Sequence, residues 1–335
     1  MWQNDFKGKL EQALLELAWR QWTQFGVAGH GKTGGAYILD PEALLLFTAY
    51  IGRRDQRLFD EVVDWLAVNH RFINVQRLRA LSKRVEFEHR AILGLIAAYM
   101  TAVDKTPKWR RLAEEWLPTG ANGEQSLFTL SGGSPMPVLG DVDAVAQRYG
   151  FRRNSFRRSN NSGEFSARDV ATLMLQLRGF FGVNARSETM LGLLTRDVCT
   201  VQDVADLSGF TWRSIQDVLV EMALSGRVGR SKGSRGYLYF LNDPRVEWSL
   251  WFPEYCGGRT FVDWLSVYRG CVIVLEGIDK AQRLARSALA QRSVVQELFD
   301  DKIQWLFMDA GINTELKFLR HDNVEELPCL LADLT

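Results

Sequence analysis

The run Thr200-Val-Gln-Asp-Val-Ala-Asp-Leu-Ser-Gly-Phe210, followed at once by Thr211-Trp-Arg-Ser-Ile-Gln-Asp-Val-Leu-Val-Glu-Met222, decides the reading of this chain. Thr200 and Asp203 have the spacing of a capping box, with Asp in place of the usual Glu, ahead of a short helix that carries Val204 and Ala205. Gly209 supplies a tight turn, and Thr211 caps the next helix. That second helix turns Ile215, Val218, Leu219 and Met222 inward, and Arg213, Gln216, Asp217 and Val220 outward, with Trp212 near the boundary. Upstream, Ser187 to Thr195 reads as a helix offering Met190, Leu191 and Leu194 to a core.

Downstream, Ser225-Gly226 ends the helix, because glycine takes the left-handed terminal conformation at little cost. The strands Arg227–Ser231 and Tyr237–Leu241 then form a hairpin around the polar turn Ser231-Lys-Gly-Ser-Arg-Gly236. Between Ser187 and Leu241 there are six basic and six acidic residues; all six acids precede Gly226, and four of the six bases lie in the hairpin segment. A hairpin that touches phosphates beside a helix that probes base edges requires this segregation. The order of elements predicts a winged helix-turn-helix. On that fold, double-stranded DNA is the expected partner.

The segment from about Arg186 to Leu241 resembles the winged-helix transcriptional regulators of bacteria, in the broad MarR- and ArsR-like sense. The likeness rests on Val201-Gln-Asp-Val-Ala-Asp-Leu-Ser-Gly-Phe, Ser214-Ile-Gln-Asp-Val-Leu and the Gly226 to Leu241 hairpin. The rest of the chain looks like larger bacterial winged-helix proteins with helical flanks. The resemblance implies that Arg213, Ser214 and Gln216 read the bases and that Arg230, Lys232 and Arg235 are wing contacts; Thr211 and Trp212, at the start of the same helix, are further candidate DNA contacts. It also implies a homodimer on a two-fold site. Asp217 and Glu221 depart from a phosphate-seeking helix, since both repel phosphate.

A second basic feature lies just ahead. Arg148-Tyr-Gly-Phe-Arg-Arg-Asn-Ser-Phe-Arg-Arg158 holds five arginines, two phenylalanines and no acid. Arginine bridges phosphates bidentately and interleaved aromatics stack on bases, so Arg152, Arg153, Arg157 and Arg158 are candidate nucleic-acid contacts. The alternative is a solvated linker, or arginines paired with acids of the helical regions.

The flanks are helical by pattern. Leu10, Leu14, Leu15, Ala18, Trp22 and Phe25 share one face, and Asp40-Pro41-Glu42 opens a helix carrying Leu44, Phe47 and Ile51. Leu58, Val62, Trp65 and Leu66 mark a third helix, Leu78 with Leu81 a fourth, and Ile92, Leu95, Ile96 and Tyr99 a fifth. The expected fold is mainly α: a helical bundle over residues 1–117, a linker with the arginine-rich arm over 118–165, the winged helix-turn-helix over 166–246, and a C-terminal helical region over 247–335. The 118–165 segment reads as a linker because it is rich in Gly, Ser, Asn and Pro.

Composition narrows the class. The chain has 335 residues, 46% hydrophobic and 24% charged, at net charge +1, so any nucleic-acid footprint must be local. Cys199, Cys256, Cys271 and Cys329 are far apart without a CxxC pair, which argues against metal or disulfide and for a cytoplasmic protein. No membrane span is expected. Gly26-Val-Ala-Gly-His-Gly31-Lys32-Thr33 matches a phosphate-loop pattern, but a working loop follows a buried strand and opens a helix, and the residues before it have helical periodicity. Cys271-Val-Ile-Val-Leu-Glu276 is the strand-like run that would have to serve it. His30, His70, His89 and His321 are scattered, and no catalytic constellation emerges. The expectation is therefore a sequence-specific DNA-binding transcriptional regulator, not an enzyme, without cofactor or metal. The competing expectations are an interaction component, such as an antitoxin or defence-system factor that docks protein on its winged helix, and an NTPase acting through Lys32 and Thr33.

Overall fold

The computed structural model describes residues 2–29, 37–85, 89–119, 124–130, 132–234, 236–242, 261–284, 287–312 and 324–334. The chain is mainly helical, and its described strands form two small sheets. No described helix is long and apolar enough to cross a membrane. Helix α1 (Trp2–Gln24) buries Phe6, Leu10, Leu14, Leu17, Ala18 and Trp22, a spacing that lines one helical face. Asp40 caps α2 (Pro41–Ile51) by accepting the Ala43 N–H at 3.0 Å, and every residue of α2 is buried. Asp55 caps α3 (Gln56–Asn69) and Asn74 caps α4 (Val75–Arg84) in the same way. Helices α5 (Arg90–Thr101) and α6 (Pro107–Glu115) complete the N-terminal set.

The segment expected as a linker is bound to these helices at most of its described turns. Strand β1 (Gln125–Ser126) pairs in parallel with β2 (Phe151–Arg152), and the short helix α7 (Ala144–Arg148), capped by Asp143, lies between them. Leu127, Phe128, Ala146, Tyr149 and Phe151 enter the main core. The Tyr149 hydroxyl donates to the Ala113 carbonyl at 2.8 Å, and the Arg53 backbone carbonyl accepts from the Thr129 N–H at 2.9 Å. Composition reads this segment as a linker, yet a Gly- and Ser-rich segment packs against helices wherever its polar groups find partners.

Residues 170–241 build a second core. After a 3-10 turn (Val170–Thr172) come α8 (Leu173–Phe181), α9 (Ala185–Thr195), α10 (Val201–Ser208) and α11 (Trp212–Leu224), then the antiparallel strands β3 (Val228–Gly233) and β4 (Gly236–Leu241). Leu177, Leu191, Leu194, Val204, Ile215, Leu219, Val228 and Tyr239 are among the side chains that close it.

The C-terminal helices are α12 (Trp264–Leu284), α13 (Ala288–Leu298), α14 (Gln304–Asp309) after a π-helical turn (Phe299–Ile303), and α15 (Leu327–Asp333). The sequence reading keeps them apart from residues 1–117, yet both regions share one hydrophobic core. Phe47 of α2 stacks on Tyr268 of α12 at 4.4 Å between ring centroids. Tyr268 donates its hydroxyl hydrogen to Gln21, Trp264 donates to the Ile38 carbonyl at 2.8 Å, and Arg20 donates to the Ala332 carbonyl at 2.7 Å. An apolar stripe on a helix shows that the face is covered but not which helix covers it. The run Cys271–Glu276, strand-like by composition, lies inside α12, where β-branched side chains serve a buried helix.

Charged side chains fasten the second core to the first. Asp40, Glu42, Arg77, Arg178 and Glu188 are each no more than 3% exposed. Arg77 grips both oxygens of Asp40 at 2.6 Å, reaches Glu42 at 2.8 Å, and donates to the Leu207 carbonyl in the last turn of α10 at 3.1 Å. Arg178 reaches Glu42 at 2.6 and 2.8 Å, Glu188 at 2.9 Å and the Phe72 carbonyl at 2.9 Å. Burial alone raises the Asp40 carboxyl, but Arg77 holds it below the usual carboxylate range. At Glu188 burial wins over Arg178 and Arg77, and its carboxyl is raised. The network therefore joins α2 and α4 to α8, α9 and α10.

Candidate nucleic-acid interface

The surface built by α9 to β4 follows from local chemistry. Thr200 accepts from the Asp203 N–H at 3.1 Å while Asp203 accepts from the Thr200 N–H at 2.8 Å, so the capping box is complete. Gly209 ends α10 in the left-handed region, at φ 69°, and lets the chain reverse into α11. Gly209→Val is expected to lose about 1–2 kcal/mol, because a side chain is strained at that φ. Urea unfolding checks this, and Gly209→Asn, which tolerates the conformation, is expected to lose less. Thr211 caps α11 by accepting from the Ser214 N–H at 3.2 Å.

Cys199 makes two hydrogen bonds with Tyr239, N–H to carbonyl at 2.9 Å in each direction, a single antiparallel bridge that ties the turn between α9 and α10 to β4. The hairpin pairs Val228 with Leu241, Arg230 with Tyr239 and Lys232 with Tyr237. These three pairs share one face. Its base, Val228, Tyr239 and Leu241, is buried, and its outer end carries exposed Arg230, Lys232 and Tyr237. Arg230 stacks over the Tyr237 ring at 4.3 Å, which holds the guanidinium on the hairpin. The strands extend to Gly233 and Gly236, so Lys232 lies within the ladder and not in a loose tip. Arg235 lies outside the described residues.

On α11, Thr211, Trp212 and Arg213 are exposed, while Ser214 and Gln216 are half-buried. Arg213 pairs with Asp217 one turn on, at 3.3 Å, and Arg186 of α9 pairs with Glu221. The acids that the sequence reading found troublesome thus neutralise neighbouring arginines. Leu224, at the end of the same helix, is 83% exposed. Sequence reasoning missed Arg186 and Tyr237; the spacing of Arg230 from Tyr237 on paired strands is the signal that locates the second.

The arginine arm does not form a common surface. Arg153 is 2% exposed, pairs with Asp60 at 2.7 Å and lies against the rings of Phe59, Phe128 and Phe156. Arg158 pairs with the buried Asp64 at 3.1 Å, and Arg152 with Glu124 at 3.5 Å. Arg157 is exposed. Arg152, Arg153 and Arg158 thus each meet a carboxylate, as the alternative reading of the arm has it. Their carboxylate partners lie far off in sequence, or, for Arg152, on the adjoining β1 segment.

The glycine-rich match follows the end of α1, a helix and not a strand, and His30, Gly31, Lys32 and Thr33 lie outside the described residues. Among the described residues no three His, Cys, Asp or Glu side chains gather as a metal site. No protein-family model matches the chain, and no curated protein or solved structure matches it.

Proposed function

We propose that Asn184–Leu241 is a winged helix-turn-helix and that the chain is a sequence-specific DNA-binding regulator. The observation that carries this reading is the order of parts around one small core. It runs α9, the Cys199 bridge, α10, the Gly209 turn, α11 and the β3–β4 hairpin, with Arg230 and Lys232 exposed on the hairpin and Trp212 and Arg213 exposed on α11. In such an arrangement the N-terminal turn of α11 enters the major groove, where Arg213 reads a base edge once it leaves Asp217. The hairpin cations meet the adjoining phosphates. The buried network around Arg77 and Arg178 holds this unit fixed on the helical body.

Selection of genomic fragments by the full-length protein, with affinities measured at two salt concentrations, tests the reading. One enriched sequence motif, bound more tightly than bulk DNA at both salts, is the expected result. Binding without enrichment would reduce the reading to non-specific contact. On the selected site, Arg213→Ala is expected to lose about 1–3 kcal/mol and to relax preference at one base pair.

A second reading, docking of a protein partner, is favoured by one feature of α11. Its exposed side carries Trp212 and Leu224 beside arginines already paired with Asp217 and Glu221. That reading predicts no enriched motif and no loss on changing the hairpin cations.

A further inference from the structure

A cleft of about 820 Å³ opens on the helical body, away from the residues assigned to DNA. It is lined by Arg53 from the turn after α2, His89 and Arg90 at the start of α5, Trp116 and Leu117 after α6, and Arg148 at the end of α7. The volume suits a small molecule.

Among the described residues the charges in this cleft do not balance; Glu86 and Glu88, just ahead of His89, lie outside them. Its lining carboxylates, Glu115 and Glu124, pair with Arg79 at 2.8 Å and Arg152 at 3.5 Å, two arginines outside the lining. Among the described residues no carboxylate forms an ion pair with Arg53, Arg90 or Arg148. Arg53 is half-buried and donates only to neutral oxygens: the Leu127 carbonyl at 3.1 Å, the Ser126 carbonyl at 3.2 Å and the Gln125 side chain at 3.4 Å. A partly desolvated cation held by neutral oxygens alone keeps most of its field, and an anion brought beside it is stabilised.

Burial is the main influence on two groups at the cleft. Burial and neighbouring Arg54 lower the Arg53 guanidinium, and burial with Arg53 and Arg54 pushes His89 down to about 4. The imidazole is therefore neutral at pH 7 and free to donate a hydrogen bond without adding charge. Helix α5 also begins here, and its N-cap residue His89 makes no side-chain cap. Its first turn adds the positive end of a twelve-residue helix to the arginines.

We propose that this cleft binds a small phosphorylated molecule, with Arg53, Arg90 and Arg148 on its phosphate and Trp116, Leu117 and Pro118 against its organic part. Three guanidinium groups around one cleft match a dianion or larger better than a single carboxylate, and planar bidentate donors match phosphate oxygens. The cleft is distinct from the α11 and hairpin surface, so a ligand here would act on the body and not compete directly for DNA.

The test uses the full chain and three probes: inorganic phosphate, pyrophosphate and phenyl phosphate, each against sodium chloride at matched ionic strength. Calorimetric titration and thermal unfolding are read for the wild type and for the double variant R90Q/R148Q. Both arginines are exposed, so the variant's midpoint without ligand is expected to stay within about a degree of wild type. The expected result is saturable pyrophosphate binding that weakens at least ten-fold in the variant, and phenyl phosphate binding more tightly than inorganic phosphate. Stabilisation no greater than that of chloride, or equal affinity in wild type and variant, would overturn the site. Equal affinity for phenyl phosphate and inorganic phosphate would overturn the organic half of the proposal. If the double variant unfolds early, Arg148→Gln alone, at an exposed helix end, gives the same comparison.

Discussion

Changing Arg230, Lys232 and Arg235 together to alanine is expected to weaken binding of the selected duplex roughly 100-fold at about 0.15 M salt. On the proposed reading each of these cations neutralises one phosphate. Each neutralised phosphate releases counterions with a logarithmic salt slope of about 0.9, so three together contribute about two decades of affinity at that salt. The same loss should flatten the salt dependence by roughly 2.7 slope units, and preference among sequences should persist because the base-facing side chains are untouched. Filter binding or fluorescence anisotropy at four salt concentrations measures both. An unchanged slope would remove the hairpin from the interface. The fold should survive the change, since Arg230 and Lys232 are exposed and their strands are held by backbone pairing. Tyr237→Ala, which removes the ring under Arg230, is expected to have a smaller effect in the same direction.

The second large effect concerns the join between the two cores. Arg178→Met removes the cation that faces both Glu42 and Glu188 and leaves two buried carboxylates with less compensation. Breaking a buried pair on one side costs about 3–5 kcal/mol. At about 2.1 cal/mol/K per residue, that is a fall of roughly 4–7 °C in the unfolding midpoint if the chain unfolds as one unit.

The pH dependence separates this cause from simple loss of packing. Without Arg178, the Glu188 carboxyl, already raised by burial, is raised further. An acid whose folded pKa lies above its unfolded value binds more protons in the folded state within that window. Stability in the variant therefore rises, relative to wild type, as pH falls from 7 towards 5. A deficit that stays constant over that range would mean that lost packing, and not uncompensated charge, explains the fall. Glu42→Gln/Arg178→Met, which also removes a charge, is expected to be less damaging per group than Arg178→Met alone.

Much of the α10–α11 helix pair was legible because its determinants are local. The Thr200–Asp203 box, the Thr211 cap, the left-handed Gly209 and the end at Gly226 each depend on residues within four positions, and each stands where the sequence put it. The Asp40 cap was legible for the same reason, but its larger role was not. Asp40 also meets Arg77, thirty-seven positions away, and nothing near either residue announces the pairing. Arg178, a charge in the apolar run Leu173–Phe181, was a visible anomaly whose meaning needed Glu42 and Glu188 in three dimensions.

The arginine arm shows what local reading leaves open. Five arginines without an acid form a strong local signal, yet Arg153 and Arg158 find Asp60 and Asp64 on α3. Net local charge predicts a surface patch only when distant acids are absent. Likewise the C-terminal helices read as a separate region because periodicity gives the width of an apolar face and not the identity of its cover. The π-helical turn between α13 and α14 does leave a mark in the sequence, since Leu298 to Ile303 is a step of five residues where an α-helical face steps by three or four.

Amide hydrogen exchange of the full chain, with and without the selected duplex, tests the DNA-binding reading most directly. The account predicts new protection in the first turns of α11, Trp212–Gln216, and along β3 and β4, with little change in α1 to α6. Protection absent from α11 and the hairpin, or concentrated on the helical body while DNA is bound, would contradict it.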